Sequence, residues 1–132
     1  MMDLSVVTPS FNQIQYLQLC VASVADQTWG FFHYHVQDGA STDGTPTILE
    51  KGMFAGNGHT FTFASEHDGG IYDALNRGIN RCLVAKDTES VDAERLNLQL
   101  PFSNSADSII GWLNCDEQYL PGTLQKVADY FR

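Results

Sequence analysis

Leu4-Ser5-Val6-Val7-Thr8-Pro9-Ser10-Phe11-Asn12 decides the fold. Its first five residues are a short, largely apolar, β-branched run, the pattern of a strand buried on both faces, and Pro9 stops it. Asn12 then offers a helix N-cap with Gln15 at the capping-box position, and Ile14, Leu17, Val21 and Val24 recur at helical spacing up to about Gln27. A buried strand that passes through a short polar turn into an amphipathic helix is the first half of a βαβ unit.

The unit repeats downstream. His33-Tyr34-His35-Val36-Gln37 reads as a second strand leading into Asp38-Gly39, and Thr45-Pro46 opens a second helix ahead of Ile48 and Leu49. Thr60-Phe61-Thr62-Phe63 alternates as a third strand that ends at Ser65-Glu66. After Gly69-Gly70, Ile71, Leu75, Ile79 and Cys82 mark one face of a third helix. Residues 86–107, rich in Asp, Glu, Asn and Ser, break the pattern and read as a surface insertion. Ser108 to Leu113 resumes as a fourth strand, and Pro121 with Leu124, Val127 and Phe131 makes a last helix. Such alternation implies right-handed crossovers and an α/β fold of three layers, a mainly parallel sheet with helices on both faces. At 132 residues the chain fits one domain, residues 1–132.

Composition narrows the partners. With 16 acidic against 7 basic residues the net charge is −9, so the chain repels nucleic acid phosphates and anionic lipid heads. An acidic protein that binds a pyrophosphate needs a divalent cation between the two. Cys20, Cys82 and Cys115 form no C-x-x-C pair and leave an odd one over, which disfavours a disulfide framework and structural zinc and suits a reducing cytoplasm. No stretch approaches a membrane span, and residues 4–9 read as a core strand rather than a cleavable leader.

In a parallel sheet the ligand sits beyond the carboxyl ends of the strands, near the point where strand order reverses. The residues that follow the four strands are Pro9-Ser10, Asp38-Gly39, Glu66-His67-Asp68 and Asn114-Cys115-Asp116-Glu117. Asp116 and Glu117, with Asn114 two residues earlier, set oxygen ligands suited to a hard cation on one loop, although an acidic turn is often only solvated. Asp38 at a strand end can accept from a base N–H or a ribose hydroxyl, whereas Asp43 suits bracing the turn or the next helix start. Asp68 is the better site candidate of the third cluster, and Asp73 suits helix capping. The four histidines lack metal-ligand spacing, and Cys115 suits inward packing rather than nucleophilic or magnesium chemistry. There is no G-x-G-x-x-G after the first strand and no P-loop.

Four stretches in order, Leu4 to Asn12, Gln37 to Thr45, Glu66 to Ile79 and Trp112 to Gly122, resemble the motifs of glycosyltransferase family 2, whose fold is the Rossmann-like GT-A fold. Ile71-Tyr72-Asp73-Ala74-Leu75-Asn76 is similar to the branch that builds bacterial surface polysaccharides. The resemblance implies that Pro9 and Phe11 line a base pocket, that Asp38 binds base or ribose, and that Asp68 helps close the nucleotide site. It further implies that Asp116, with Glu117 beside it, coordinates Mn2+ or Mg2+ on the donor diphosphate and that Asn114 faces the ribose or sugar.

The function so implied is the donor half of an inverting glycosyltransferase in polysaccharide or glycolipid synthesis. Its partners are a nucleotide-diphosphate sugar and a saccharide or lipid-linked acceptor, with no nucleic acid. Its location is the cytoplasm, in solution or at the inner face of a membrane. Relatives carry the general base after the last helix seen here, so the resemblance implies a domain truncated at its C-terminus with no catalytic base assigned in this chain. Two rival readings are a catalytically silent nucleotide-binding or scaffold module of the same fold and a nucleotidyltransferase. The latter would want glycine and lysine after the first strand, where Pro9-Ser10-Phe11-Asn12-Gln13 has neither.

Overall fold

The computed structural model describes residues 3–52, 59–87 and 108–132. Eight elements alternate: β1 (Asp3–Ser10), α1 (Ile14–Ala25), β2 (Phe32–Asp38), α2 (Thr45–Glu50), β3 (Thr60–Ser65), α3 (Ile71–Asp87), β4 (Ser108–Trp112) and α4 (Thr123–Phe131). The four strands form one sheet in the order β3-β2-β1-β4, and every pairing is parallel. The expected α/β architecture is therefore observed. From 88 onward the expected insertion lies outside the described residues, while its first two positions, Lys86 and Asp87, close α3.

Burial explains why β1 is central. Leu4 to Ser10 are all buried, as a strand flanked on both edges and both faces must be. Alternate residues feed two cores. Leu4, Val6, Tyr34 and Val36 pack with Leu17 and Val21 of α1, Leu49 of α2 and Leu124 of α4. On the opposite face Val7 packs with Leu75, Ile79 and Cys82 of α3. Among the described residues helices thus cover both faces, α3 packing on the second.

Pro9 does not end β1, as its sequence suggested; the strand runs on to Ser10, pairing with β2 up to Ser10↔Asp38. Leu113 N–H donates to the Val7 carbonyl at 3.0 Å, so the backbone groups of Val7, and by alternation of Pro9, face β4. The β1–β4 ladder ends at Val7↔Trp112, so the N–H that proline lacks falls where no ladder partner is needed.

Close approach of α3 depends on a glycine. A Cβ on Gly78 would lie 2.5 Å from Val7 Cγ1 and 3.4 Å from both Gln37 Cβ and His35 Cδ2. Beneath the helix a polar chain crosses the sheet. His33 Nε2 and His35 Nδ1 both meet Thr62 Oγ1, His35 Nε2 meets Gln37 Oε1, and Gln37 Nε2 donates to Glu66. Arg77 and Arg81 then bind Glu66 from α3. Burial holds the His35 imidazole down at about 4, so it is neutral near pH 7.

Helix starts are capped from a distance. Asn12 was expected to cap α1, but it has φ 50°, a left-handed conformation that Asn tolerates, and its Oδ1 accepts from Thr42 N–H. The first α1 N–H, on Ile14, instead donates to Asp43 Oδ2 at 2.9 Å, while Asp43 Oδ1 accepts from the Thr45 N–H and hydroxyl. Asp43 therefore braces both α1 and α2, close to its expected role. Burial opposes its ionisation, but these bonds outweigh burial and hold the carboxyl below its ordinary value. Gln27, buried where α1 ends, donates to the Ser23 and Leu120 carbonyls and accepts from Leu124 N–H, tying α1 to the start of α4.

Candidate functional site: a cavity at the sheet's carboxyl edge

The chain leaves β1 toward β2 and β3 on one side and returns to β4 on the other, so strand order reverses between β1 and β4. A cavity of about 640 Å³ opens there. Pro9, Phe11, Asp68, Asn114 and Asp116, five of the seven expected site residues, line it. Asp38 and Glu117 do not.

Asp38 has another task. It is 0% exposed, and Ser10 Oγ and Ser41 Oγ donate to its Oδ1 at 2.8 and 2.6 Å. Ser41 N–H and Ser65 Oγ donate to its Oδ2 at 2.9 and 2.8 Å. A carboxylate offers about four lone-pair sites, and four donors occupy these. The expected contact with base or ribose thus meets a carboxylate whose acceptors are already engaged in holding the ends of β1, β2 and β3 together. Ala40, next in this loop, has φ 60°, a strained value for alanine that the bonds on either side hold in place.

The loop after β2 meets the loop after β3. A Cβ on Gly39 would lie 2.9 Å from Asp68 Oδ2 and 3.3 Å from Phe11 Cδ2, so the glycine lets these side chains approach the loop closely. Asp68 Oδ1 accepts from Gly70 N–H, which fixes the carboxylate at the cavity wall. Asp73 behaves as the capping residue it was expected to be: it accepts from Gly69 N–H and from Arg77 Nε, and these bonds lower its carboxyl below the ordinary value.

The loop after β4 separates the two acidic residues expected to hold a metal. Glu117 turns back on its own loop, accepting from the Asn114 N–H at 3.3 Å and from Asn114 Nδ2 at 3.1 Å. The cause is local: a carboxylate three residues after a free backbone N–H reaches it as a cap does. Asp116 lines the cavity, and its carboxylate carries no hydrogen bond or ion pair among the described residues. Among the described residues no cluster of three or more His, Cys, Asp or Glu side chains is preformed for a metal. The Asp116 carboxylate is the kind of hard oxygen donor of which a Mg2+ or Mn2+ ion takes one or two, completing its shell with phosphate oxygens and water.

Cys115 packs inward as expected. Its thiol donates to Gln13 Oε1, and burial, followed by the Asp116 charge, pushes its pKa up to about 11, so it stays a thiol. The Cys20 thiol beneath it donates to the Asn114 carbonyl, anchoring the loop to α1. Ser10, Ser41, Ser65 and Gln13 were missed by sequence reasoning. The signal for two of them existed, since Ser10 and Ser65 each close the last register pair with Asp38.

Comparison with known proteins bears on the family and the fold. The chain is 39% identical over 77 residues to a PGL/p-HBAD biosynthesis glycosyltransferase of Mycobacterium bovis, a match covering 58% of this chain and 29% of that protein. It is 42% identical over 76 residues to an uncharacterized glycosyltransferase of Mycobacterium tuberculosis, covering 57% and 28%. In each case the match spans less than a third of the relative. Staphylococcus aureus TarS, solved in complex with UDP-GlcNAc, shares the fold with a TM-score of 0.66 at 21% identity over 98% of this chain and 31% of that one. A mannosyltransferase of Pyrobaculum calidifontis, in complex with GDP-Man and Mn2+, aligns with a TM-score of 0.52 at 25% identity over 59% and 23%. The sequence model of Glycosyl transferase family 2 matches residues 5–83, from β1 through most of α3. More than half of the chain is covered, and the chain belongs to glycosyl transferase family 2.

Proposed function

We propose that this chain binds a nucleoside-diphosphate sugar in the cavity between β1 and β4, with a divalent cation at Asp116. It would thereby supply the donor half of an inverting glycosyltransferase of polysaccharide or glycolipid synthesis. The observation that carries the reading is the Asp116 carboxylate, unpaired among the described residues, on a cavity that also presents the Phe11 ring and the fixed Asp68 carboxylate. The relatives named as glycosyltransferases, and the UDP-GlcNAc and GDP-Man complexes of the structural neighbours, support it.

Each residue has a physical task. Phe11, 60% exposed at the cavity, offers a face on which a base stacks. Asp68 accepts from a base N–H or a ribose hydroxyl, and Asp38 keeps the loops that carry Phe11, Gly39 and Asp68 in register. Asn114 stands at the sugar end. Asp116, acidic and unpaired, repels a bare diphosphate and admits one that arrives with Mg2+ or Mn2+. Asp116 would hold the cation where its charge would offset that developing on the leaving diphosphate. In the transfer an acceptor hydroxyl oxygen bonds to the anomeric carbon from the opposite side, and the bond from that carbon to the β-phosphate oxygen breaks. The electron pair leaves on the diphosphate and the hydroxyl proton passes to a base. A cytoplasmic location suits the buried cysteines Cys20, Cys82 and Cys115, which form no disulfide pair with one another. Among the described residues no helix is long and apolar enough to cross a membrane.

The test is thermal unfolding with UDP, GDP or dTDP, each with and without Mn2+ or Mg2+. Ligand at a hundred times its Kd stabilises by about 2.7 kcal/mol, so a clear rise is expected with one nucleotide and only when the cation is present. Absence of any shift with all three nucleotides overturns the proposal.

A further inference from the structure

Beside the cavity stand two aromatic side chains that neither core uses. Tyr72 is the second residue of α3 and Trp112 the last of β4; their rings meet edge to face with centroids 6.3 Å apart. They remain 71% and 46% exposed. Neither lines the cavity itself, but each is tied to a residue that does. Ile71, which precedes Tyr72, lines it, and the Trp112 indole N–H donates at 2.7 Å to Oδ1 of Asn114, which also lines it. That amide is itself held, because Asn114 Nδ2 donates to Glu117. The Trp112 ring is therefore oriented by the fold, and a ligand that meets its face loses little further side-chain entropy.

The chemistry around the pair selects its partner. Asp68 and Asp116 on the same cavity offer carboxylate oxygens that can accept from hydroxyls. A flat nucleobase finds its ring face at Phe11, on the β1 side, whereas the Tyr72–Trp112 pair lies on the β4 side. A ligand with an apolar C–H face for a ring and hydroxyls for carboxylates is a pyranose. We propose that Tyr72 and Trp112 form a pyranose-stacking platform at the sugar end of the cavity, assisted by the hydrogen-bonding groups of Asn114 and Asp116. The inference rests on the nucleotide-sugar reading of the cavity and names the residues that hold the sugar. The ring belongs to the donor or to an acceptor saccharide, and the stacking chemistry is the same for both.

The chain has two tryptophans, so Trp29→Phe leaves Trp112 as the sole indole. Its fluorescence is followed on titration with methyl pyranosides, alone and with UDP and Mn2+. In parallel, calorimetry compares UDP with UDP-hexoses for the wild-type chain and Trp112→Leu, with circular dichroism to verify folding. A donor source is supported if the affinity gain of a UDP-hexose over UDP falls about tenfold in Trp112→Leu while UDP itself binds as before. An acceptor source is supported by a saturable response to a pyranoside that Tyr72→Leu weakens about tenfold and Tyr72→Phe retains. The platform is overturned if no pyranoside changes Trp112 fluorescence and Trp112→Leu leaves the donor gain intact or there is no gain to lose. UDP binding is read separately: a chain that binds UDP without any sugar response loses the platform and keeps the nucleotide site, and a pyranoside response without UDP binding does the reverse.

Discussion

Ser10 and Asp38 end neighbouring strands in the same register pair, and the Ser10 hydroxyl donates to Asp38 Oδ1 at 2.8 Å. Ser65 closes the next pair on the other side and donates to Oδ2 at the same 2.8 Å. One buried carboxylate thus binds three strand ends into a single platform beneath the cavity. Asp38→Asn, with an NH2 group facing these donors, is expected to cost about 2 to 3 kcal/mol by leaving buried hydroxyls unpaired. Chemical denaturation measures the loss. Ser65→Ala, which removes one donor at the exposed edge, should cost less than half as much.

Asp116 and Glu117 are adjacent and should behave oppositely. Asp116 carries no bond among the described residues, so Asp116→Ala should leave the melting temperature of the ligand-free protein unchanged and abolish its cation-dependent rise with nucleotide. Glu117→Ala frees the Asn114 amide and N–H, and should lower the ligand-free stability by about 0.5 to 1.5 kcal/mol while keeping a reduced nucleotide shift. Paired thermal scans distinguish the two.

Gly78→Ala inserts a methyl where Val7 Cγ1 lies only 2.5 Å away. Alanine is the better helix former, so propensity alone favours the change by about 1 kcal/mol. Overpacking against the central strand opposes it by about 1 to 3 kcal/mol. A net loss of stability in urea titration is expected. Gly52→Ala is the control for open space, although its φ of 61° adds strain of its own.

The buried His35 makes stability depend on pH. Its folded pKa of about 4 lies below the ordinary 6.5, so as pH falls below 6.5 the unfolded chain takes up a proton that the folded one refuses. Stability is full above 6.5, declines through that window and levels off below about 4. The shift corresponds to a loss on the order of 3 kcal/mol. Asp43 and Glu66, whose carboxyls are held below their ordinary values despite opposing burial, add a further loss at lower pH. Denaturation midpoints at pH 7.5 and 5 should differ less in His35→Gln than in the wild-type chain.

The order of elements, the parallel sheet and the loops that form the site were legible in the sequence because they follow from local periodicity. Leu4 to Thr8 is largely apolar and β-branched with no charged residue, the pattern of a central strand, and Ile71, Leu75, Ile79 and Cys82 share a helix face. Chain position alone brought Pro9, Phe11, Asp68, Asn114 and Asp116 to one edge, since every parallel strand ends on the same side.

What each of these side chains does there was decided by tertiary structure. A motif names Asp38 and Glu117 as acidic but cannot count the donors that surround them. Three serine hydroxyls and a backbone N–H occupy Asp38, and one asparagine occupies Glu117, while Asp116 carries no bond among the described residues. Likewise, helical spacing proposed Asn12 as the α1 cap, whereas Asp43, twenty-nine positions from Ile14, supplies it. Periodicity is a property of neighbours in the chain, and hydrogen-bond satisfaction is a property of neighbours in space.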